Sequence, residues 1–440
     1  MKLDPGSYDL TRNVHRITLY NTISADQRHV RKKPRLYIHL DMNCFYAQVE
    51  QVSYDLQGLP LVVGGWRKPD GTARGIVATS SYEARKFGVK TGMSAYEAVK
   101  LCPYVVFMQV HYDKYQAISR QIRKVLDNYA GDVEAYSMDE YFLDLTFMID
   151  RPRAELFNYG LRIKQDIYAE TGLFCSLGIA RSKTYAKLAS DLVKPNGLTL
   201  ALDEQEEREK IWPLALDEVW GIGSRRYAKL QQAGLHTIED GITKGKGIFR
   251  KLFGQYFGGM LYETVCGLDR AIVKDAPDHV PDEVTYMHTF SDWTTDAEQI
   301  KGEITKSVRQ LCYRMRGYNR RAARYSSYLR FQDETWRGIQ IVFATPGYTN
   351  LDDYVVRAAL RALMPVVEHY IRHGQRIRGF GVNTLDLDAT GQIELFFRED
   401  EKMRNLFRAR DTINNRYGFE SLVVASSFED VKGKTHFLDR

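Results

Sequence analysis

Apolar and polar positions alternate most regularly near residue 40, where Leu36, Ile38, Leu40 and Met42 are interleaved with Tyr37, His39, Asp41 and Asn43. A period of two predicts a strand with Asp41 on the face opposite the apolar one. In Tyr136-Ser-Met-Asp139-Glu140-Tyr-Phe-Leu-Asp144, apolar strands flank Asp139 and Glu140. That pattern predicts a hairpin whose turn lets adjacent carboxylates converge. The period becomes helical at Tyr115, Ile118, Ile122, Val125 and Tyr129, and again at Leu156, Tyr159, Ile163 and Ile167, the second helix ending near Gly172. Leu173 to Ala180 predicts a further strand. The order strand, helix, strand, strand, helix, strand is that of a split βαβ, ferredoxin-like sheet. Its first crossover is enlarged by a segment rich in Gly and short apolar runs, from about Ser53 to His111.

Downstream, Ser182 predicts the cap of a helix that stops at Lys194-Pro-Asn-Gly197, and Glu204 to Leu261 reads as mostly helical with many turns. Within it, Leu216-Asp-Glu-Val-Trp220-Gly221-Ile-Gly223-Ser has the form of a helix-hairpin-helix. Gly221 and Gly223 permit a tight turn whose amides, at the start of the next helix, bind a DNA phosphate without reading sequence. The segment from about Arg270 to Asp282 predicts a linker. Beyond it come a helix near Thr295 to Met315, strands near Ala323 to Phe331 and Gly338 to Phe343, a helix from Leu351 to Tyr370 and a strand from Ile377 to Leu387. These predict a second α+β unit.

A chain of 440 residues is too long for one core and implies several domains. Its 62 Lys and Arg against 56 Asp and Glu leave a net charge of only +6, which points to no partner. The distribution says more. Ile304 to Gln332 contains no acid but holds Lys306, Arg309, Arg314, Arg316, Arg320, Arg321, Arg324 and Arg330, interleaved with Tyr313, Tyr318, Tyr325 and Tyr328. So one-sided a run predicts an electrostatic footprint for a phosphate backbone, with a plain solvated basic face as the alternative. Cys44, Cys102, Cys175, Cys266 and Cys312 form no C-x-x-C and have no His partner at metal spacing. Neither a zinc site nor a disulfide framework is indicated, and a reducing compartment fits. With no apolar run of membrane-spanning length and no signal-peptide core, the expectation is a soluble, cytoplasmic protein without a membrane partner.

Three carboxylates gathered at one end of a sheet repel one another unless hard cations lie between them. Oxygen-only ligation suits Mg²⁺ or Mn²⁺, and such a site is the usual apparatus for phosphoryl transfer by two metals. For any single Asp the better reading is an ordinary strand-end carboxylate; the surroundings reverse that for the combination. These surroundings include Ala78-Thr79-Ser-Ser-Tyr82-Glu-Ala-Arg85, the Lys194-Pro-Asn-Gly turn, the hairpin at Gly221 to Gly223 and the tail peptide Gln392-Ile-Glu-Leu395-Phe396. In this order, from about Leu36 to the tail, they resemble the Y-family (translesion) DNA polymerases of the bacterial DNA polymerase IV and UmuC kind.

The resemblance implies an α+β multidomain, right-hand polymerase. Residues 1–34 would be an N-terminal arm, 35–52 and 112–203 a ferredoxin-like palm, and 53–111 small fingers. Residues 204–270 would be a helical thumb, 271–284 a linker, 285–388 an α+β little finger and 389–440 a tail. The implied activity is DNA-templated DNA synthesis, adding dNTPs to a primer 3′-hydroxyl with two Mg²⁺ ions, at low fidelity and chiefly opposite damaged template. Asp41, Asp139 and Glu140 would be the catalytic metal ligands, with the Met42 carbonyl a further one. Thr79 and Tyr82 would offer hydroxyl donors to the triphosphate, Arg85 a guanidinium fork and Lys194 a point charge. Tyr46 stands at the steric-gate position, where an aromatic ring collides with a ribose 2′-hydroxyl, and Phe45 would pack nearby. Ile76 and Ala78 would roof the nascent base pair. Gly221, Gly223, Arg320, Arg321 and Arg324 would contact DNA. Gln392, Leu395 and Phe396 would enter a sliding clamp, an edge strand being the alternative. The implied partners are primer-template DNA, a dNTP and the clamp, and the implied state is a monomer. Asn43 stands where a second Asp is common, and it is left out of the metal set. A catalytically silent scaffold that recruits another polymerase is the rival reading; such a protein is expected to lose acidic ligands, yet all three stand. A nucleotide cyclase-like palm is disfavoured because it has no use for the hairpin or the basic C-terminal unit.

Overall fold

The computed structural model describes residues 35–68, 70–269, 271–274, 281–332, 338–388, 401–417 and 421–422. The chain divides into two compact units, Met1–Pro277 and Asp278–Arg440. The arm 1–34 and the tail residues Gln392, Leu395 and Phe396 lie outside the described residues.

In the first unit, β1 (Tyr37–Met42) turns into α1 (Phe45–Ser53) and then β2 (Leu61–Val63), β3 (Trp66–Arg67), β4 (Ala73–Arg74) and β5 (Thr79–Ser80). There follow α2 (Tyr82–Lys86), α3 (Ala95–Leu101), β6 (Val106–Met108), α4 (Tyr112–Leu126), β7 (Val133–Ala135) and β8 (Glu140–Asp144). Next come α5 (Arg153–Thr171), β9 (Cys175–Ala180), α6 (Lys183–Asp191) and β10 (Leu198–Ala201). The main sheet runs β10-β9-β1-β8-β7. Its β9-β1-β8-β7 part is the ferredoxin-like order that the sequence predicts, and β10 joins it parallel to β9. Gly172, at φ 71°, ends α5 in the left-handed conformation that an L side chain resists. Ser182 caps α6, accepting from the Tyr185 amide at 3.1 Å. In β9, a Cβ on Gly178 would meet the Ala186 carbonyl oxygen at 2.0 Å. Only glycine lets α6 lie directly on the sheet, and that contact carries the lysines of α6 towards the end of β1.

The face assignment of β1 needs correction. Both faces are buried: Ile38, Leu40 and Met42 pack with Ile122, Ile163 and Ile167, while Tyr37 packs with Phe142, Tyr185 and the helical residues Leu230 and Phe249. Paired with β8 and β9 and covered on both sides, β1 is a central strand, so the alternation separates two cores instead of core and water. His39 is buried there, 2.7 Å from the Ser190 hydroxyl and 4.5 Å from the Phe142 ring. Burial drives its pKa well below the usual value, and it stays neutral.

Strands β2, β5 and β6 form a separate small sheet, and β3 and β4 a two-stranded ribbon. The helical segment holds α7 (Glu204–Lys210), α8 (Ser224–Gln232), α9 (Ile238–Lys244), α10 (Lys246–Phe253) and α11 (Gln255–Val265). The helix expected before Gly221 is a single 3₁₀ turn, Leu216–Glu218. The turn stops at Val219, whose backbone is extended with ψ 134°. Gly221 has φ 84° and Gly223 caps α8, and both are exposed. No described helix is long and apolar enough to cross a membrane.

The second unit contains β11 (Thr285–Thr294), α12 (Ala297–Gly317), β12 (Arg321–Phe331), β13 (Gly338–Thr349), α13 (Asp352–Arg372), β14 (Ile377–Thr384), β15 (Leu387–Asp388) and α14 (Glu401–Tyr417). Its antiparallel sheet runs β11-β14-β12-β13, and its core joins Leu311 and Met315 of α12 to Leu363 of α13 and Phe380 of β14. The basic run does not form one continuous surface. It passes from α12 into β12, and the two periods turn Arg316 into an enclosed ion cluster and Tyr325 into the core, stacked 5.1 Å from Phe343. Arg324 is exposed and paired with Asp386 at 3.0 Å, while Arg320 and Arg321 are half-buried.

Candidate active site

The register of β1 and β8 sets Asp41 opposite Glu140. The Met42 amide donates to the Asp139 carbonyl at 2.9 Å, which ties the hairpin turn to the end of β1. Ser137 closes that turn, its hydroxyl accepting from the Asp139 and Glu140 amides at 3.2 and 3.0 Å and donating to the Asp139 carboxylate.

All three acids therefore reach one end of the sheet, but each finds its own partner. Asp41 Oδ1 is 2.7 Å from Lys194 Nζ, which also meets Asp191 at 2.6 Å, and Glu140 is ion-paired with Lys187. Among the described residues, no three of His, Cys, Asp or Glu are gathered closely enough to hold a metal ion. The expected convergence of the carboxylates is thus not the arrangement adopted, because like charges separate when ammonium groups are within reach. Of these ammoniums, Lys194 is expected from the sequence, but as a contact of the triphosphate and not of Asp41, and Lys187 was missed. The spacing of Lys183 and Lys187, at i and i+4 of α6, was the available signal for a cationic helix face.

A cleft of about 350 Å³ opens over Asp41, Met42 and Asp139, walled by Cys44, Phe45 and Tyr46 of the β1–α1 turn and by Ala78, Thr79, Tyr82, Arg85 and Thr91 of the insertion, with Lys194 also lining it. Glu140, turned to Lys187, is not among the lining residues. Ser81 caps α2, so Tyr82 and Arg85 stand at i and i+3, and the Arg85 guanidinium lies 4.8 Å from the Tyr82 ring centre. Arg85 Nε donates to the Ser80 carbonyl at 3.1 Å, which aims the fork. Ile76 is exposed. Cys44 caps α1 with φ 39°, and burial pushes its thiol up to about 11, so it stays protonated.

Asn43 has a positioning role that the sequence did not reveal. Its side chain accepts from the Asn196 amide at 2.7 Å and donates to the Ser176 hydroxyl at 2.9 Å, and Ser176 accepts from the Gly197 amide at 3.2 Å. The Lys194-Pro-Asn-Gly turn is thereby pinned to the end of β1, which sets Lys194 beside Asp41. An Asp at position 43 would lack the donor that reaches Ser176.

Burial pushes the Asp41 carboxyl up to about 6; Lys194 opposes the shift, and Asp191 and Glu140 add repulsion. For Lys194, burial alone would lower the pKa, but Asp41 and Asp191 outweigh it and raise the value. Asp41 and Asp139, which line the same cleft, offer oxygen donors, the chemistry that suits a hard divalent cation. Such an ion would relieve the penalty that Lys194 now offsets.

A sequence profile described as the impB/mucB/samB family matches residues 40–191, and the C-terminal domain of the same family matches residues 283–395. The DNA polymerase IV of Streptococcus agalactiae serotype Ia is 36% identical over 278 residues, 63% of this chain and 75% of that one. The DNA polymerase IV of Oceanobacillus iheyensis is 31% identical over 392 residues, 88% of this chain and 90% of its own. Among solved structures, a Y-family DNA polymerase chimera matches with a TM-score of 0.68 at 25% identity, covering 79% of this chain and 98% of the chimera. The fold and its carboxylate-bearing cleft thus define a multidomain DNA polymerase. The chain belongs to the Y family of DNA polymerases, within the impB/mucB/samB group, and its activity is DNA-directed DNA synthesis.

Proposed function

We propose that this polymerase adds dNTPs to a primer 3′-hydroxyl by two-metal phosphoryl transfer, at low fidelity, and serves translesion synthesis. The observation that carries the reading is the cleft itself, in which Asp41 and Asp139 face Thr79, Tyr82, Arg85 and Lys194. Two Mg²⁺ or Mn²⁺ ions, held by Asp41, Asp139, Glu140 and the Met42 carbonyl, would acidify the 3′-hydroxyl and neutralise the departing pyrophosphate. The chain's own share is positioning and charge. Lys194 and Lys187, released from their carboxylates, supply positive charge to phosphate oxygens, Arg85 offers a planar fork, and Thr79 and Tyr82 donate hydroxyl hydrogens. Tyr46 excludes ribonucleotides by collision with the 2′-hydroxyl. Small or exposed apolar residues at Ala78 and Ile76 leave little surface to test base-pair shape, which suits damaged templates.

Gly221 and Gly223, with Arg320, Arg321 and Arg324, grip the DNA backbone, and Gln392, Leu395 and Phe396 engage a sliding clamp. The enzyme acts as a cytoplasmic monomer on primer-template DNA. The test is primer extension on intact and lesion-bearing templates, with Mg²⁺ and with chelator. Metal-dependent extension past a lesion is expected. DNA binding without extension would overturn the reading in favour of a scaffold.

A further inference from the structure

We propose that Tyr115, anchored by the buried carboxylate of Glu50, is the backstop of Tyr46 and so sets how strictly the cleft excludes ribonucleotides. The inference rests on the reading of Tyr46 as the sugar gate. A gate that works by collision is only as selective as it is unable to recede, because contact repulsion falls away within a few tenths of an ångström. What stands behind the ring therefore matters as much as the ring.

The Tyr46 ring lies parallel to that of Tyr115, with centroids 4.3 Å apart and 14° between planes, and Tyr112 meets it edge-on at 6.2 Å. Tyr115 is fully buried and is braced by Phe45 at 6.3 Å. Its hydroxyl donates to Glu50 Oε1 at 2.8 Å. Glu50 also accepts from Lys114 Nζ at 2.8 Å on its other oxygen, and His111 Nδ1 lies 3.2 Å from Oε1. Tyr46 and Glu50 are one turn apart on α1, whereas Tyr115 and Lys114 come from the first turn of α4. The bracket thus closes on itself: the helix that carries the gate also carries the anchor of the backstop.

The bracket's chemistry favours placement over packing. A buried carboxylate is costly unless each partner is in place, and an apolar contact would join α1 to α4 without that cost. Paired polar groups in a low-dielectric interior specify position, which a van der Waals contact does not.

The test is single-nucleotide insertion of a dNTP and the matching rNTP opposite one template base, reading kcat/KM for each. For Tyr115→Phe, which keeps the ring and loses the hydroxyl, dNTP insertion should stay within about threefold while rNTP insertion rises about tenfold, a contact-level change in discrimination. Tyr115→Leu, which removes the wall, should relax the ratio further, and Tyr46→Ala should relax it most. Tyr115→Phe added to Tyr46→Ala should change nothing more, since the two act through one contact. If Tyr46→Ala abolishes discrimination while both Tyr115 variants keep it, the backstop is refuted and the gate stands. Equal loss of dNTP and rNTP insertion in Tyr115→Phe would also refute it, reducing Tyr115 to a packing residue. Unchanged discrimination in Tyr46→Ala would overturn the gate and the backstop together.

Discussion

Two charge clusters in this chain use the same kinds of side chain to opposite ends. At the end of β1, Asp41, Asp139 and Glu140 each hold a single side-chain partner beside an open cleft, and burial raises the Asp41 carboxyl to about 6. In the second unit, Arg316 bridges Asp352 at 2.7 Å and Asp411 at 2.5 Å and donates to the Asn350 carbonyl at 2.6 Å. Arg410 joins Asp352 at 2.8 Å, and both guanidiniums lie near the Phe407 ring, at 5.2 and 4.5 Å. Asp352 is fully buried, so this cluster is closed. Burial would lower the Arg316 pKa, but the flanking carboxylates outweigh it and keep the guanidinium charged. The open cluster is made of exchangeable pairs and can hand a carboxylate to an arriving cation. The closed one is shut off from water and fastens α14, a helix beyond the family's matched region, to α12 and α13.

The contrast predicts opposite phenotypes, and the largest belongs to the open cluster. Asp139→Ala/Glu140→Ala should reduce primer extension by about 10,000-fold or more, while moving the melting temperature by no more than about 2 °C. Retained extension would dissolve the distinction and the assignment with it. Next in size, Arg316→Ala leaves Asp352 with Arg410 alone and takes from Asp411 its closest guanidinium, and should destabilise the second unit by about 3 kcal/mol in urea titrations, the low end of what breaking a buried pair costs. The turnover number on a short primer should move far less. An unchanged urea midpoint would show that the cluster is ornamental to folding.

A smaller effect is expected where one side chain serves both states. Lys194→Ala should raise the KM for dNTP by about tenfold through loss of a charge-assisted phosphate contact. It also removes the group that opposes the upward shift of Asp41. In the metal-free protein Asp41 would then hold its proton to a higher pH, and its carboxyl titration, followed by NMR without divalent metal, should move upward from the wild-type position. A downward shift would contradict the pairing.

The smallest effect calibrates a charge outside both clusters. Glu207 is pushed up to about 7 by burial, with Glu204 and Asp203 adding repulsion against the pull of Arg181. Its folded pKa exceeds the unfolded one, so the native state binds more protons between about pH 4.5 and 7. Stability falls as pH rises through that window, and the cost is complete above it. Glu207→Gln should therefore stabilise at pH 8 by about 1 kcal/mol, a figure reduced for partial exposure, and should have no effect at pH 4. Equal melting temperatures at pH 8 would refute the assignment of cost to this carboxyl.

What the sequence by itself determined is local. The period of two around Asp41, the hairpin at Asp139 and Glu140, the helical spacing of Ile163 and Ile167, the Ser182 cap and the Gly172 stop are all written within one or two turns of chain, and the structure forms each of them. The ferredoxin-like strand order follows, because few topologies accommodate that element order. Tertiary structure alone decided which polar groups meet. Burial of both faces of β1, the pairing of Glu140 with Lys187, the hold of Asn43 on the Lys194 turn and the enclosure of Arg316 by Asp411 join residues tens to more than a hundred positions apart. β11 and α14 likewise escaped a periodic reading, since their place depends on a sheet and an ion cluster built elsewhere in the chain. Periodicity reports which face of an element avoids water, but charge pairing depends on distance in space, and only the folded chain sets that distance.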